Sequence, residues 1–401
     1  MPERRSPLYE THIRMGARMV KGGGDYMFPL SYTSPVEEHI NTRTNVGMQD
    51  LSSMGEVDVK GPGAERLLNH LLVNDIRDML PGQVRYSTMC NEDGGVVDDI
   101  TVYKFHDEHF MVVTSSAPRK KTARWLADHA VGTSTYVTDI SAAIALPVVQ
   151  GPRSRELLKA LVQDADLDSL RYFRFTTGRI GETELVVSRT GYTGELGFEL
   201  YTPAEEAPLV WEQILQAGRT FGLMPYGAAA MHTLRLEKAL VLYGVDLDES
   251  RTPFEAGLDR WIRFSKRDFL GREALLRAQE RGLEERLVGL TLEGELAAQA
   301  GAGVYPVGAV EPFQRRHFSG PEAGAPHDTV LPGPEAVGRV TTSGRGHTVG
   351  KVLALAYVRT QHAWPGARLL VEVGGRPVPA VVTPTPFFDP QGARLRARAP
   401  R

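Results

Sequence analysis

Short strands and amphipathic helices follow one another in mixed order over the first two thirds of the chain. Apolar and polar residues alternate in GEVDVKG, and two apolar runs, ITVYKF and FMVVTSS, flank the polar turn HDEH, which predicts a strand and a hairpin. Helical spacing recurs in GAERLLNHLLVND, over residues 116–130, in SRELLKALV and through much of residues 204–247. Strands and helices in this order favour α+β layers over repeated βαβ units.

From residue 285 onward the pattern changes to short strands separated by glycine and proline. The segments RLVGLTLEG, GRVTTSG, VGKVLALAYV and ARLLVEVGGRPVPAVVTPTPFF predict a small β-barrel or jelly roll over residues 285–401. Residues 297–336 are rich in Gly and Pro without clear periodicity, and we predict a long surface excursion there, either a lid or a flexible loop. The C-terminal RLRARAPR is locally basic and is interpreted as a solvated tail.

Composition and charge exclude several classes of function. Lys and Arg total 46 against 49 Asp and Glu, so the chain lacks the surplus of basic residues that broad nucleic-acid binding requires. The single cysteine, Cys90, cannot form an intrachain disulfide or a cysteine-based metal cluster, and no histidine stands beside it to activate a nucleophile. His106 and His109 lack a third ligand nearby, so we expect no metal site.

No segment has the pattern of a membrane anchor or a secretory signal. MPERRSPLYE has no apolar stretch behind its charges, and the chain contains no run of about 18 apolar residues. We therefore expect a cytoplasmic protein without a membrane partner. The sequence also lacks G-x-G-x-x-G after a strand, a P-loop, H-E-x-x-H and G-x-S-x-G, which leaves carboxylates as the candidate chemistry.

Two adjacent carboxylates, Asp98 and Asp99, open an apolar strand shortly after a Gly-Gly turn. Successive side chains of a strand point to opposite faces, so Asp99 shares a face with Tyr103 and Phe105, whereas Asp98 shares the other with Ile100. Both faces are largely apolar, which places the strand inside the protein. A buried carboxylate usually has a dedicated partner or a chemical task.

A second pair of carboxylates lies in GELGFELY, residues 194–201. The apolar side chains of this segment form a core face, and the opposite face presents Glu195 and Glu199 beside Gly197, where a flat ring can approach the backbone. An ionised carboxylate accepts two parallel hydrogen bonds from a planar N–H/NH2 edge such as that of a guanidinium or a pterin. The alternative is that one of these glutamates pairs with Arg189 or a surface Lys.

Five segments, in order, resemble the tetrahydrofolate-dependent aminomethyltransferase family, which includes the T-protein of the glycine cleavage system. They are SPLYETHIRMGARMV, EEHINTRTNVGMQDLSSMG, NEDGGVVDDITVYKF, RTGYTGELGFEL and TLRLEKALVLYGVDLDESRTPFEAGL, and a weaker match returns near GRVTTSG and PTPFFDP. The resemblance implies an α+β, T-protein-like fold of three domains around a central folate channel. The implied domains are residues 1–50 with 140–275, residues 51–139, and a C-terminal jelly-roll-like β domain over residues 285–401.

The resemblance also assigns residues to the folate site. The second Asp of the G-G-x-x-D-D motif, Asp99, lies at the reacting nitrogen of folate, where a carboxylate can manage protons and stabilise positive charge as the one-carbon unit moves. The Glu that closes G-Y-T-G-E-x-G-x-E, Glu199, grips the pterin edge. Met54 of DLSSM lines the pocket by the same analogy, as do Tyr192 and Val113, and Met111 of FMVVTSS stands at a folate-lining position where the family has a Tyr.

Several positions depart from the pattern of glycine-cleavage T-proteins. Where those proteins have A-R-D before T-L-R-L-E, this chain has Met231 and His232, and the usual His of D-V-S-H-M is Ser53. His232 is a candidate proton carrier, with a packing role as the alternative. Arg235 is a candidate for binding the benzoyl-glutamate tail, or else an ordinary helix-surface Arg paired with Glu. The early aromatic, Tyr26, follows an unusual Gly run.

The pattern LRLEK…YGVDL…TPFEAGL resembles more closely the folate domains of dimethylglycine and sarcosine dehydrogenases, or folate-dependent demethylases. The main prediction is a tetrahydrofolate-dependent transferase that moves a methyl or other one-carbon unit between a small methylated donor and folate N5, with Tyr26 or Tyr32 as the acid for an oxygen leaving group. The alternatives are a glycine-cleavage T-protein that works with a lipoyl carrier protein, a folate-handling subunit paired with a flavoprotein, and a non-enzymatic folate-binding protein.

Overall fold

The computed structural model describes residues 3–308 and 336–398, which form three open β-sheets, a closed β-barrel and helices packed against them. None of the helices in these residues is long and apolar enough to cross a membrane. The helices, in chain order, are α1 (Tyr9–Arg14), α2 (Pro35–Thr44), α3 (Ala64–Leu71), α4 (Arg119–Ala130), α5 (Ser154–Lys159), α6 (Ala207–Gly218), α7 (Ala228–Glu237) and α8 (Arg272–Arg281). Short 3-10 turns occur at Gly23–Asp25, Arg219–Phe221, Asp259–Trp261 and Thr360–His362.

The strands are numbered in chain order. Those of the α+β part are β1 (Arg4–Arg5), β2 (Arg18–Lys21), β3 (Tyr26–Ser31), β4 (Val46–Asp50), β5 (Gly55–Lys60), β6 (Gln83–Cys90), β7 (Val96–His106), β8 (His109–Thr114), β9 (Tyr136–Asp139), β10 (Ile144–Ala145), β11 (Pro147–Gln150), β12 (Val162–Gln163), β13 (Phe175–Ile180), β14 (Thr183–Ser188), β15 (Gly197–Pro203) and β16 (Leu223–Pro225). Those of the C-terminal part are β17 (Glu285–Leu292), β18 (Gly303–Pro306), β19 (Gly338–Gly346), β20 (Lys351–Arg359), β21 (Arg368–Val373) and β22 (Arg376–Thr383).

The largest sheet joins strands from both sides of residues 51–139. Its order is β12-β13-β14-β15-β11-β4-β16, with β10 paired to β15 outside this path. β4 pairs antiparallel with β11 and parallel with β16, so the N-terminal segment is part of this sheet. Trp211 of α6 and Leu157 of α5 are fully buried in the core against it. The division into residues 1–50 with 140–275 and residues 51–139 stays a prediction.

The second sheet has the order β6-β7-β8-β5-β9 and contains the predicted hairpin, since β7 and β8 pair antiparallel across the short polar turn. One face of β7 places Ile100 in a core with α3 and α4. The other face places Tyr103 in a second core, which this sheet shares with Tyr201 of the eight-stranded sheet. Asp99 lies on the Tyr103 face of the strand and therefore points toward the space between the two sheets.

The C-terminal barrel predicted from residue 285 onward is confirmed. Six strands close it in the order β17-β20-β19-β18-β21-β22, with β22 pairing back to β17. The prediction of a surface excursion over residues 297–336 is wrong for Gly303–Pro306, because this strand belongs to the barrel and its Val304 is fully buried. A four-residue strand is too short to show a period in the sequence. Residues 309–335 of the excursion lie outside the described residues.

The segment that follows the barrel packs back onto the α+β part. Nε of Arg394 donates hydrogen bonds to both oxygens of Glu195, at 3.0 and 2.9 Å, and Nη2 of Arg189 donates to the backbone carbonyl of Ala397 at 2.7 Å. The interpretation of RLRARAPR as a solvated tail is therefore wrong for Arg394 and Ala397, which are held by these bonds. Glu195 lies 199 positions earlier in the chain, so local composition could not reveal it.

Candidate functional site

A cavity of about 1620 Å³ lies where the two large sheets, the barrel and the C-terminal segment meet. It exceeds the roughly 300–1,000 Å³ of an ordinary small-molecule site, so it has room for a cofactor and a second reactant. Seven of the nine site residues predicted from the sequence line it: Met54, Asp99, Val113, Tyr192, Glu199, His232 and Arg235.

Asp99 lies half-buried on β7 and lines the cavity, on the face that strand parity predicts. The Tyr86 hydroxyl donates to its Oδ2 at 3.0 Å, and the Ser115 hydroxyl donates to its Oδ1 at 3.2 Å. Burial raises the pKa of Asp99 to about 6, and the two hydrogen bonds limit this rise because they favour the ionised form. Asp99 is thus a carboxyl group that can exchange a proton near neutral pH.

Asp98 takes the opposite face of β7 and is fully buried. The Thr122 hydroxyl donates to its Oδ2 at 2.7 Å and the backbone N–H of Ser115 donates to the same atom at 3.3 Å, whereas no donor among the described residues reaches Oδ1. Burial, and then the charge of Asp99, raise the pKa of Asp98 well above its usual value. Through these two bonds Asp98 attaches Ser115 and Thr122 to β7. The Ser115 hydroxyl in turn orients Asp99.

Glu199 on β15 lines the same cavity. The hydroxyls of Thr190, Tyr201 and Tyr103 donate to its Oε2 at 2.5, 3.1 and 3.2 Å, and none of the described residues donates to Oε1. Burial raises the pKa of Glu199, and the three hydroxyl donors oppose that rise. The arrangement holds the carboxylate in place by one oxygen and leaves the other available to a ligand.

The space beside Gly197 is filled by Gln150 rather than open to a ligand. A Cβ at Gly197 would lie 2.4 Å from the Gln150 side chain, so the expectation that a flat ring approaches the backbone here is wrong. Gln150 accepts a hydrogen bond from the Thr193 hydroxyl at 2.8 Å and donates to the backbone carbonyl of Thr190 at 3.3 Å. These contacts fix the loop that places Thr190 beside Glu199.

Glu195 has a structural role away from the cavity lining. Arg43 and Arg394 lie 3.1 and 2.9 Å from its oxygens, and Arg43 also pairs with Glu237 at 2.9 Å. Within the described residues neither Glu195 nor Glu199 forms an ion pair with Arg189 or with a lysine, so that alternative is wrong. The two glutamates of the motif thus have different roles: Glu195 pairs with arginine side chains, and Glu199 faces the cavity.

Met54, Val113 and Tyr192 lie on the cavity wall. Met54 and Val113 also pack into the core between the two large sheets, and the Tyr192 hydroxyl donates to the backbone carbonyl of Val241 at 2.5 Å. This bond attaches the loop after α7 to the loop that precedes β15. The contact of these three residues with folate stays a prediction.

Two predicted residues on α7 are held by different contacts. Arg235 is buried and donates from Nη1 to Asp246 at 2.5 Å and from Nη2 to the Thr342 hydroxyl at 2.8 Å, so it is not the expected helix-surface Arg paired with Glu. Nε2 of His232 lies 3.2 Å from the carbonyl oxygen of Ser343, and burial lowers the pKa of His232, which makes it neutral at pH 7. The roles of Arg235 on a ligand tail and of His232 as a proton carrier stay predictions.

Tyr26, Met111 and Tyr32 are absent from the described residues that line the cavity. The buried Tyr26 hydroxyl accepts a hydrogen bond from Nη1 of Arg119 at 2.7 Å, and Met111 is 3% exposed in the core between the sheets. The Tyr32 hydroxyl lies 2.8 Å from Nδ1 of His12, and burial raises the pKa of Tyr32. Their positions separate these side chains from the ligand space, and their chemical roles stay predictions.

The hydroxyl groups that hold the two carboxylates were missed by sequence reasoning. Tyr103 shares the strand face of Asp99, and Tyr201 shares that of Glu199, so parity held a signal for both. Tyr86 reaches Asp99 across the β6–β7 pair and packs at 5.4 Å, centroid to centroid, on Trp261 of the cavity wall. Strand pairing between distant segments was needed to find that contact.

Cys90 and the histidines of the β7–β8 turn lie outside the cavity lining of the described residues. Burial raises the pKa of the Cys90 thiol to about 12, which disfavours the nucleophilic thiolate. Nε2 of His109 lies 3.0 Å from Asp58. The described residues contain no group of three or more His, Cys, Asp or Glu side chains placed to hold a metal ion.

The donor and acceptor pattern of the cavity fits the tetrahydrofolate that the sequence resemblance implies. A pterin edge presents adjacent N–H and NH2 donors, which an ordered carboxylate with a free oxygen can accept. Glu199 provides that oxygen, because its hydroxyl donors all converge on Oε2. Asp99 provides a proton-exchanging group on the wall of the same cavity.

Two family models match the chain: the GCVT N-terminal domain over residues 8–266 and the glycine cleavage T-protein C-terminal barrel domain over residues 285–389. The aminomethyltransferase of Moorella thermoacetica is 40% identical over 385 residues, which cover 96% of this chain and 98% of that protein. The aminomethyltransferase of Halothermothrix orenii is 36% identical over 385 residues, which cover 96% of this chain and 100% of that protein.

A solved structure, glycine cleavage system aminomethyltransferase T from Bartonella henselae, matches with a TM-score of 0.84 at 26% identity and covers 97% of this chain and 99% of that one. The predicted T-protein-like fold with its C-terminal barrel is therefore confirmed. The predicted enzyme class, a tetrahydrofolate-dependent one-carbon transferase, and its cofactor are confirmed with it. This chain belongs to the glycine cleavage T-protein family.

Proposed function

We propose that this chain transfers the one-carbon unit of an aminomethyl group, held on the lipoyl arm of a carrier protein, to tetrahydrofolate bound in the cavity. The observation that supports this most is the presentation of Glu199 and Asp99 to one cavity from two different sheets. Relatives named aminomethyltransferase match along 96% of the chain, which favours this activity over the small-donor transferase of the main prediction.

Glu199 is proposed to bind and orient the cofactor. Its Oε2 is fixed by three hydroxyl donors, so a ligand that donates to Oε1 meets a carboxylate that is already in place. A hydrogen bond to a charged acceptor is stronger than one between neutral groups, and partial burial reduces competition from water. Glu199 thereby fixes how the reacting nitrogen is presented to the rest of the cavity.

Asp99 is proposed to manage the proton at the reacting nitrogen. The bound tetrahydrofolate supplies nitrogen nucleophiles that accept the one-carbon unit. With a pKa of about 6, Asp99 is mostly ionised at pH 7 and can take up a proton or stabilise positive charge next to it. Tyr86 and Ser115 each hold one of its oxygens, so the carboxylate need not reorient during the reaction.

A small methylated compound is the second candidate donor. Met231 and His232 both line the cavity and stand where T-proteins are expected to have Arg and Asp, so an apolar group and a neutral imidazole replace a charged pair. Such a wall suits a small N-, S- or O-methyl donor that places no charged group against these two side chains. The closer kinship to the folate domains of dimethylglycine and sarcosine dehydrogenases, and a flavoprotein partner, belong to this second candidate.

Two measurements test the proposal. Anaerobic calorimetric titration of tetrahydrofolate into the full chain should show saturable binding. Turnover with an aminomethyl-lipoyl carrier protein should then release ammonia and methylenetetrahydrofolate in equal amounts. A chain that binds tetrahydrofolate, is inactive with the carrier, and is active on N-, S- or aryl O-methyl donors would replace the first candidate with the second. A chain that does not bind tetrahydrofolate would refute both.

A further inference from the structure

The chain continues past the barrel as a segment that reaches the ligand cavity. We call residues 388–397 the C-terminal strap. Five of its residues line the cavity: Pro390, Gln391, Gly392, Leu395 and Arg396. The matched barrel family model ends at residue 389, so these five residues lie beyond it. Residues 390–397 of the strap are therefore a part of the chain that the family models do not cover.

Basic side chains of the α+β part hold the strap by its backbone. Nη2 of Arg155 donates to the carbonyl of Ala397 at 2.9 Å, and Nη2 of Arg189 donates to the same oxygen at 2.7 Å and to the carbonyl of Leu395 at 3.3 Å. At the other end, Nζ of Lys238 donates to the carbonyl of Asp389 at 2.8 Å. Backbone acceptors fix the path of the strap whatever its side chains are.

The charges around these anchors show that the strap is an integral part of the fold. Arg155 and Arg189 are only 5% and 3% exposed, and neither forms an ion pair within the described residues. Buried cations need hydrogen-bond acceptors, and the strap provides the carbonyl of Ala397 to both. Arg394 of the strap also satisfies the buried carboxylate of Glu195. Removing the strap would take away the Ala397 acceptor of Arg155, one side of the contacts of Arg189, which would keep the carbonyl of Leu170, and the Arg394 partner of Glu195, which would keep Arg43.

The strap is also folded in itself. The side chain of Asp389 accepts hydrogen bonds from the backbone N–H groups of Ala393 and Arg394, at 2.9 and 3.2 Å. The N–H of Arg396 donates to the carbonyl of Gly392 at 3.0 Å, which closes a turn that presents Leu395 and Arg396 to the cavity. A preformed turn contributes a binding wall at little cost in ordering on ligand binding.

We propose that the C-terminal strap is a wall of the cofactor site that slows the release of bound tetrahydrofolate. This inference rests on the proposed occupation of the cavity by tetrahydrofolate. The strap lines the same cavity as Tyr172 of the α+β part and Trp261 of the loop after α7, so those elements and the strap bound one space. A ligand that leaves this space loses its contacts with a wall that is fixed at both ends.

Chains of different lengths test the proposal. A chain that ends at Asp389 lacks the cavity-lining residues of the strap, and a control that ends at Arg398 keeps them. Stopped-flow fluorescence measures the association and dissociation rates of tetrahydrofolate. We expect dissociation to accelerate by about 10-fold or more in the shorter chain, with little change in association, because affinity differences between related complexes lie mostly in the dissociation rate.

Two further measurements test the proposal if the chain that ends at Asp389 does not fold. Arg155→Met with Arg189→Met in the shortened chain removes the two buried cations that lose acceptors on the strap, and melting temperature reports folding. Arg396 is exposed, so we expect trypsin to cleave after it in the full chain. Saturating tetrahydrofolate should slow that cleavage by about 10-fold, since cleavage follows the population in which the strap is open.

The outcomes separate the strap from the cofactor assignment. Equal dissociation rates in the folded shortened chain and the control, or trypsin cleavage at Arg396 that is unchanged by tetrahydrofolate, would overturn the role of the strap alone. A full chain that does not bind tetrahydrofolate overturns the proposed function and the role of the strap together. Faster dissociation without the strap, with ligand-dependent protection in the full chain, supports both.

Discussion

Asp99 and Glu199 are both strand carboxylates that face one cavity without forming an ion pair among the described residues, yet their oxygens are used differently. Asp99 receives one hydroxyl donor on each oxygen, and Glu199 receives three on Oε2 and none from the described residues on Oε1. One donor per oxygen orients a carboxylate whose proton can still exchange. Three donors on one oxygen hold a carboxylate still and reserve the other oxygen for a ligand.

The positions of the hydroxyl donors, more than burial, distinguish the proposed proton-transfer role of Asp99 from the proposed binding role of Glu199. Burial raises the pKa of both groups, and hydroxyl donors oppose the rise in both. If this division of roles is right, removing the charge at Asp99 affects turnover, and removing it at Glu199 affects binding.

Asp99→Asn should have the largest effect. The amide cannot take up a proton at the reacting nitrogen, so kcat should fall by about 100- to 10,000-fold, the range that general acid–base groups contribute. The Kd of tetrahydrofolate, measured by anaerobic calorimetry, should change by less than about 3-fold, because a hydrogen-bond acceptor of the same size remains. The exposed Asp93→Asn in the preceding turn is the matched control. Normal turnover in Asp99→Asn would refute the role of Asp99.

Glu199→Gln should have the next largest effect, and on binding. The substitution keeps the size of the side chain and removes one charge-assisted hydrogen bond, which costs about 1.5–3 kcal/mol, or roughly 10- to 150-fold in the Kd of tetrahydrofolate. At saturating cofactor, kcat should stay near that of the unchanged chain. Glu184→Gln, exposed on the adjacent β14, is the control. A loss of kcat with unchanged Kd would reverse the division between the two carboxylates.

Much of this comparison could be predicted from short-range pattern, and the rest depends on long-range contacts. The period of two in β7 and β15 was enough to place Asp99 and Glu199 on their faces, and Gly and Pro spacing was enough to indicate the barrel. The free oxygen of Glu199 was not predictable, because one of its donors, Tyr103, lies 96 positions away on another sheet. Motif resemblance located residues but not their hydrogen bonds.

The same limit explains where the sequence predictions fail. The alternative for Arg235, a helix-surface Arg paired with Glu, is wrong, because its partners are Asp246 in the following loop and Thr342 in the barrel, 107 positions away. Gly197 was expected to leave an open face, and Gln150 of the neighbouring strand fills it. Pattern within one segment shows which face a residue takes but not what another segment brings to that face.

Tyr103→Phe should weaken binding modestly. It removes one of the three hydroxyls that hold Oε2 of Glu199, a loss of about 0.5–1.5 kcal/mol, or roughly 2- to 12-fold in the Kd of tetrahydrofolate. Tyr136→Phe on β9, where the side chain is 74% exposed, controls for loss of a tyrosine hydroxyl. An unchanged Kd would mean that Thr190 and Tyr201 are sufficient to hold the carboxylate.

Tyr86→Phe should have the smallest effect at neutral pH and is the most specific test of the division. The Tyr86 hydroxyl donates to Asp99 and so favours its ionised form. Without this hydrogen bond the protonated form of Asp99 becomes relatively more stable, and its pKa rises above the present value of about 6. Since the ionised form is the active one, kcat/KM should fall as pH decreases through this pKa. In Tyr86→Phe that fall should begin about 0.4 to 1.1 pH units higher, the equivalent of one hydrogen bond.

Tyr103→Phe then serves as the comparison for Tyr86→Phe. Both substitutions remove one phenolic hydroxyl from a cavity-facing carboxylate, but Tyr103 donates to Glu199 and Tyr86 to Asp99. The first should therefore raise Kd without moving the acid limb of the pH profile, and the second should move the limb without raising Kd. If both variants change both quantities, the two carboxylates act as one coupled unit, and the division of binding from proton transfer between the two sheets is wrong.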